Sequence, residues 1–143
     1  MADIALSAAV NVKPLVQAII KPVIAGEIVD VGEIVYLKSD GKYWLADANA
    51  FATAQARGVV VGIGAYGAVS SVADQQIDVC FYGPVNGWTG LTPGQDLFAS
   101  TTVGAIADAA PAGSSGDYVW SIGFAYSAEA IFISPWTHDI AAQ

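Results

Sequence analysis

Turn signals punctuate this chain about every 8–12 residues, a spacing that leaves room for short strands and little else. The densest cluster lies in the stretch Asn86–Ser100, where Gly90 and the Pro93–Gly94 pair are natural turn points. Proline presets one backbone dihedral there, and glycine tolerates positive φ. Leu91, Leu97 and Phe98 give this corner its apolar anchors. Strand-like segments precede it (Ile77 to Tyr82) and follow it (Ala125 to Ser134), so it reads as the corner of a small β-barrel or sandwich.

A chain of 143 residues fits one domain with a real core. Although 55% of its residues are hydrophobic, no run reaches the roughly 18 apolar residues of a membrane span. The longest apolar region, Ile4 to Ile24, is interrupted by Asn11, Lys13, Pro14, Gln17, Lys21 and Pro22, and lacks the basic head of a signal peptide. The expectation is a soluble protein made in the cytoplasm, without a membrane partner. Its high apolar and low charged content calls for burial against other subunits or another surface. Five basic residues (Lys13, Lys21, Lys38, Lys42 and Arg57) face thirteen acidic ones, a net charge of −8. That balance argues against nucleic acid, whose binding rests on Lys and Arg. Cys80, the single cysteine, has no partner for an internal disulfide.

Residues 1–24 form a leader in which Ile4 and Leu6, then Val10 and Val12, alternate with other residues as in a half-buried strand. Pro14 and Pro22 rule out a continuous helix. A short helical turn from Leu15 to Ile20 is open, with extended structure preferred. Two readings stand side by side: a first strand of the barrel, or an arm that leaves its domain and pairs with a neighbour by strand addition. The second predicts that residues 2–20 can be deleted without unfolding the domain.

The domain proper is assigned to residues 25–135, with 136–143 as a tail. Ile28 to Leu37 reads as strand around a Val31–Gly32–Glu33 turn. Asp40–Gly41 between apolar runs predicts a hairpin returning through Tyr43–Ala46. Asp47 to Ala56 is either a loop or one short helix capped by Asp47 and anchored by a buried Phe51. Val59 to Gly64 is a strand bent at its glycines. Gln76 to Tyr82 places Ile77, Val79 and Phe81 on one face and Asp78, Cys80 and Tyr82 on the other. Asp108 to Gly116 is loop, and Tyr118 to Tyr126 and Ala130 to Ser134 close the fold.

Little here suggests chemistry. His138 is the only histidine and sits in the tail, so one chain cannot assemble a Cys/His zinc site. No Gly-x-Ser-x-Gly elbow is present. The carboxylates are scattered singly through turns, and no EF-hand spacing occurs. Ile77–Gly83 resembles the Ile–Asp–x–Asp–Tyr–x–Gly motif of trimeric dUTP pyrophosphatases, but Cys80 and Pro84 stand at its acidic positions. A lone Arg57 leaves a triphosphate without stabilising cations, and an alternating strand accounts for the same residues. The reading is of a protein that is not an enzyme and needs no cofactor or metal. The tryptophans Trp44, Trp88, Trp120 and Trp136, with the tyrosines, are expected as core plugs or subunit anchors rather than a carbohydrate platform.

The succession Ala25–Gly26–Glu27, Gly32–Leu37, Asp40–Gly41–Lys42, Leu45–Ala48, Gly58–Gly62, Gly90–Gly94, Ile122–Ala125 and Ile131–Pro135 resembles the small decoration (cement) proteins of tailed-bacteriophage heads. That resemblance implies an all-β, β-barrel or β-tulip-like domain, commonly a homotrimer. It would bind the major capsid protein on the outer surface of an expanded capsid at three-fold and quasi-three-fold positions. The virion surface would then be its location. Similar β-domains occur in phage tail-fibre and receptor-binding components, so a receptor- or glycan-binding module is the alternative. The residues expected at the capsid or subunit interface are Ile4, Leu6, Val10, Val12, Leu15, Trp88, Leu91 and Trp136.

Overall fold

A computed structural model describes residues 3–64, 68–111 and 117–135. Its strands in chain order are β1 (Ala5–Leu6), β2 (Lys13–Pro14), β3 (Ile19–Ile24), β4 (Ile34–Leu37), β5 (Tyr43–Leu45) and β6 (Gly58–Ile63). They continue with β7 (Gln76–Asn86), β8 (Trp88–Thr89), β9 (Asp96–Ala99), β10 (Ile106–Ala107), β11 (Ser121–Ala125) and β12 (Ala130–Ile133). One helical turn, α1 (Phe51–Ala54), lies between β5 and β6. The chain is thus mostly β, as its turn spacing predicts, and the main antiparallel sheet curls into a half-barrel.

The fold turns on β7. Along one edge β7 pairs first with β6 and then with β12; along the other it pairs with the leader strands β3 and β2. Beyond β6 the sheet continues through β4 to β5, and beyond β12 through β11 and β9 to β10. A period of two dictates which residues turn inward. Ile77, Val79 and Val85 are fully buried and Tyr82 is about half exposed (49%), but Cys80, read on the face of Tyr82, is fully buried as well, and Phe81, read with Ile77 and Val79, is only partly buried. With Ile34, Val35, Val59, Leu97, Ile122 and Ile131, the residues Ile77, Val79 and Val85 form one core. Each fully buried aliphatic side chain contributes about 1.5–3 kcal/mol relative to exposure.

The hairpin at Asp40–Gly41 forms as predicted, with β4 against β5 and Gly41 at φ +84°. Asp40 fastens it by accepting the Lys42 N–H (2.8 Å) and the Trp44 indole N–H. The central corner also forms, with Gly90 and Gly94 at positive φ and Leu91 and Leu97 buried.

Four local expectations are corrected. The strand begins at Ile34 rather than Ile28; before it the chain makes only an isolated bridge, Asp30 to Ser70, with the Val29 N–H taken by the Ser71 hydroxyl (3.0 Å). Asp47 does not cap α1; its carboxylate accepts the Asn49 N–H and the Thr53 hydroxyl, and Ala50 stands at the cap. Phe51 is exposed, edge-on to Tyr118, and the small Ala54 makes the buried contact instead. In the leader, a 3-10 turn at Ala9–Asn11 breaks the alternation, so Val12 is buried while Val10 faces out.

The leader is extended, but in this chain it does not leave its domain. β1 pairs with β8, Asp3 bridges to Ala107, and β2 and β3 run antiparallel along β7 from Asn86 to Gln76. Asp3 also accepts a hydrogen bond from the buried Ser100 hydroxyl (2.5 Å). The physical reason is β7 itself: without the leader, one edge of the central strand would present its N–H and C=O groups unpaired. Within one chain the leader thus lies in the sheet, as the barrel-strand reading expects.

Candidate functional site

Two surface features stand out, and neither is a reactive centre. The first is the outer edge of β3. Its inner edge is satisfied by β7, while its other edge has no strand partner among the described residues. Ile19 and Ile24 at its ends are 49% and 40% exposed, and Val16 in the preceding turn is 84% exposed. That turn is tight, with Gln17 at φ +72°. Lys21 and Pro22 lie mid-strand, a charge and a missing donor that keep an open edge from pairing indiscriminately.

The second feature is an aromatic surface on the outer face of the sheet. The register aligns Asp96 of β9, Phe124 of β11, Phe132 of β12 and Pro84 of β7 in one row. Leu15 continues the row, its N–H donating to the Pro84 carbonyl (2.9 Å). Phe124 stacks on Phe132 with ring centroids 5.2 Å apart, and Tyr82 meets Phe132 edge-on at 5.1 Å. Tyr126 leans on the same ring at 5.9 Å. Such cross-strand aromatic contacts stabilise the sheet by roughly 0.2–1 kcal/mol each. Phe124, Tyr126 and Tyr82 nevertheless remain substantially exposed.

The residues expected at an interface divide four ways. Val12, Trp88 and Leu91 are core residues, with Trp88 paired to Leu6 across β1 and β8. In the single chain they pack inward rather than lining its surface, unlike the interface position expected for them. Ile4 and Leu6 are half-buried against the core, whereas Val10 and Leu15 are exposed. Trp136 lies outside the described residues, as does His138. The aromatic quartet was not singled out from sequence. A local signal existed in the alternation of Phe124 with Tyr126, but their neighbours across the strands are set by register.

Titratable groups mark structural positions. Burial pushes the Glu33 carboxyl above the usual range, despite the Asp30 N–H that it accepts at 2.7 Å. Burial likewise raises the Cys80 thiol, which disfavours the nucleophilic thiolate. Lys42 and Asp74 form a surface ion pair at 2.5 Å that is open to solvent screening. Among the described residues, no three His, Cys, Asp or Glu side chains group as a metal cage, and no helix is long and apolar enough to cross a membrane.

A cleft of about 570 Å³ runs between the leader and β6, lined chiefly by Val10, Val12, Val31, Ile63 and Val69, with Lys13 at its margin. The remaining tryptophans are structural. Trp120 is buried and its indole N–H donates to the Ala56 carbonyl (3.0 Å). Trp44 packs over Gly26, and the Lys38 ammonium lies 4.2 Å from its ring centroid. Exposed apolar surface of this kind suits contact with another macromolecule. In comparisons with known proteins, no family model and no curated protein matches the chain.

Proposed function

We propose that this chain is a structural decoration (cement) protein of a phage head, acting mechanically rather than catalytically. It would sit on the outer surface of the expanded shell at three-fold and quasi-three-fold positions and hold neighbouring capsid subunits together. The observation that carries the reading beyond resemblance is the open edge of β3, flanked by exposed Val16, Ile19 and Ile24. An open edge docks by strand addition, with main-chain hydrogen bonds giving affinity and alternate side chains giving specificity. The net charge of −8 fits an outer surface better than the DNA-lined interior. Three copies around one local axis, with the lattice supplying the symmetry, would make attachment multivalent. Binding only the expanded lattice would stabilise that state by mass action.

The test is co-sedimentation of the purified protein with expanded capsid shells that lack it, alongside unexpanded shells. Saturable binding confined to expanded shells supports the role and yields the copy number. Absence of binding to expanded shells overturns it. The aromatic quartet favours a second reading, a glycan- or receptor-binding module, because exposed rings stack on sugar faces. That reading predicts binding to host-cell glycans without shells and its loss in Tyr126→Ala.

A further inference from the structure

The aromatic face carries opposite charges at its two margins. Asp96 ends the row Phe124–Phe132–Pro84–Leu15 on the β9 side. On the leader side, the exposed Lys13 pairs with Asn86, one row along. Both side chains are exposed, and neither has an ion-pair partner among the described residues. Glu129, at the tip of the β11–β12 hairpin, borders the same shallow depression as Lys13 and Asn86. Four strand spacings separate the two margins, roughly 19 Å before curvature, with Phe132 midway between them.

We propose that this face is where two copies of the chain pair, face to face, about a two-fold axis lying along β12. Rotation about that axis exchanges the two margins. It places Asp96 of each copy over the Lys13 margin of the other, and the aromatic centre over itself. Such an interface is isologous, one surface complementary to its own copy. A chain with a net charge of −8 repels its copies over most of its surface. Pairing is favoured where acid is sparse and the one nearby cation meets a carboxylate.

The exposed parts of Tyr82, Phe124, Tyr126, Leu15 and Ile19 amount to roughly 100 Å² each. Paired, they bury roughly 1,000 Å² in total, at the low end for a specific interface. The dimer is therefore weak and concentration-dependent. It lies on a different surface from the shell-docking edge of β3, the two meeting at Ile19.

Sedimentation velocity of the full chain from about 1 μM to about 500 μM covers the affinities expected of such an area. The expected result is a monomer–dimer equilibrium, weakened about tenfold or more by Tyr126→Asp. Lys13→Glu and Asp96→Lys alone each weaken it about fivefold or more, and the double charge exchange restores it. These positions are exposed, and thermal unfolding of each variant verifies that it is folded. A monomer throughout, a stable trimer, association unmoved by these variants, or failure of the double exchange to restore pairing would each overturn the proposal.

Discussion

Replacing Gly123 by alanine sets a backbone conformation and a steric wall against the same methyl group. Gly123 sits at φ +144°, in β11 beside the irregularity that follows Ser121, and is paired with Ile133. A β-carbon built there overlaps the Phe132 carbonyl oxygen and lies 3.2 Å from the Ser134 nitrogen. Both obstacles are main chain in or beside β12, so no side-chain rotation relieves them. The dihedral alone costs about 1–3 kcal/mol, and forced overpacking adds about 1–3 kcal/mol. Taken together, about 4 kcal/mol is a large share of the roughly 5–15 kcal/mol that holds a domain folded. Gly41→Ala is the control, because Gly41 also has positive φ (+84°) but nothing within 4 Å of an added β-carbon. It should cost only about 1–2 kcal/mol. Urea unfolding reads the difference: with a slope near 2 kcal/mol per molar, Gly123→Ala lowers the midpoint by about 2 M and Gly41→Ala by less than about 1 M. Equal shifts for the two variants, or a Gly123→Ala midpoint within about 0.3 M of wild type, would refute the steric argument.

Four further outcomes are expected. Trp120→Phe keeps the ring but strands the Ala56 carbonyl that the indole N–H satisfies, costing about 1–3 kcal/mol in urea unfolding; a loss within error of zero would contradict this. Because burial raises the Glu33 carboxyl, its protonated form is favoured by folding. Its stabilising contribution is full below the unfolded pKa and is lost as pH rises through the folded one. Wild-type stability minus that of Glu33→Gln should therefore fall as pH rises through and above the ordinary carboxylate range, and a flat or rising difference would rule the mechanism out. Cys80 is fully buried, so a thiol reagent should label the native protein far more slowly than the urea-unfolded chain, and equal rates would count against it. Deleting residues 2–20 should abolish cooperative unfolding and near-UV dichroism, since it uncovers the edge of β7; a truncated protein with an intact transition would restore the free-arm view.

How much could be read beforehand depended on the range of the interactions. The β4–β5 hairpin was legible because Asp40–Gly41 encodes its turn within four residues. Ile77 and Val79 were legible as inward from the strand period, whereas the burial of Cys80, on the opposite face by that period, was not. Phe51 was misplaced because an aromatic in an alanine-rich segment looks the same whether it anchors a turn or rides outside it. Trp88 and Leu91 read as interface residues because core and interface recruit the same side chains, and for Trp88 it is the pairing of β1 with β8 that separates the two. The outer aromatic face had no contiguous signature: Tyr82 and Phe132 lie in strands joined through a long excursion, and their contact exists only once β7 and β12 pair.

The pairing of the leader with β7 also bears on the order in which the protein can be made. Ile24 must find Gln76, Lys13 must find Asn86, and Asp3 must find Ala107. On the ribosome the leader emerges first and waits, its Ile19, Ile20 and Val23 uncovered, until its partners have been synthesised. At about 5–20 residues per second, that delay lasts several seconds. Closing such long loops before any contact rewards them makes folding slow as well as late. Lys21 and Pro22, which temper the free edge of the finished sheet, would thus serve earlier as gatekeepers that keep a nascent strand from seizing the wrong neighbour.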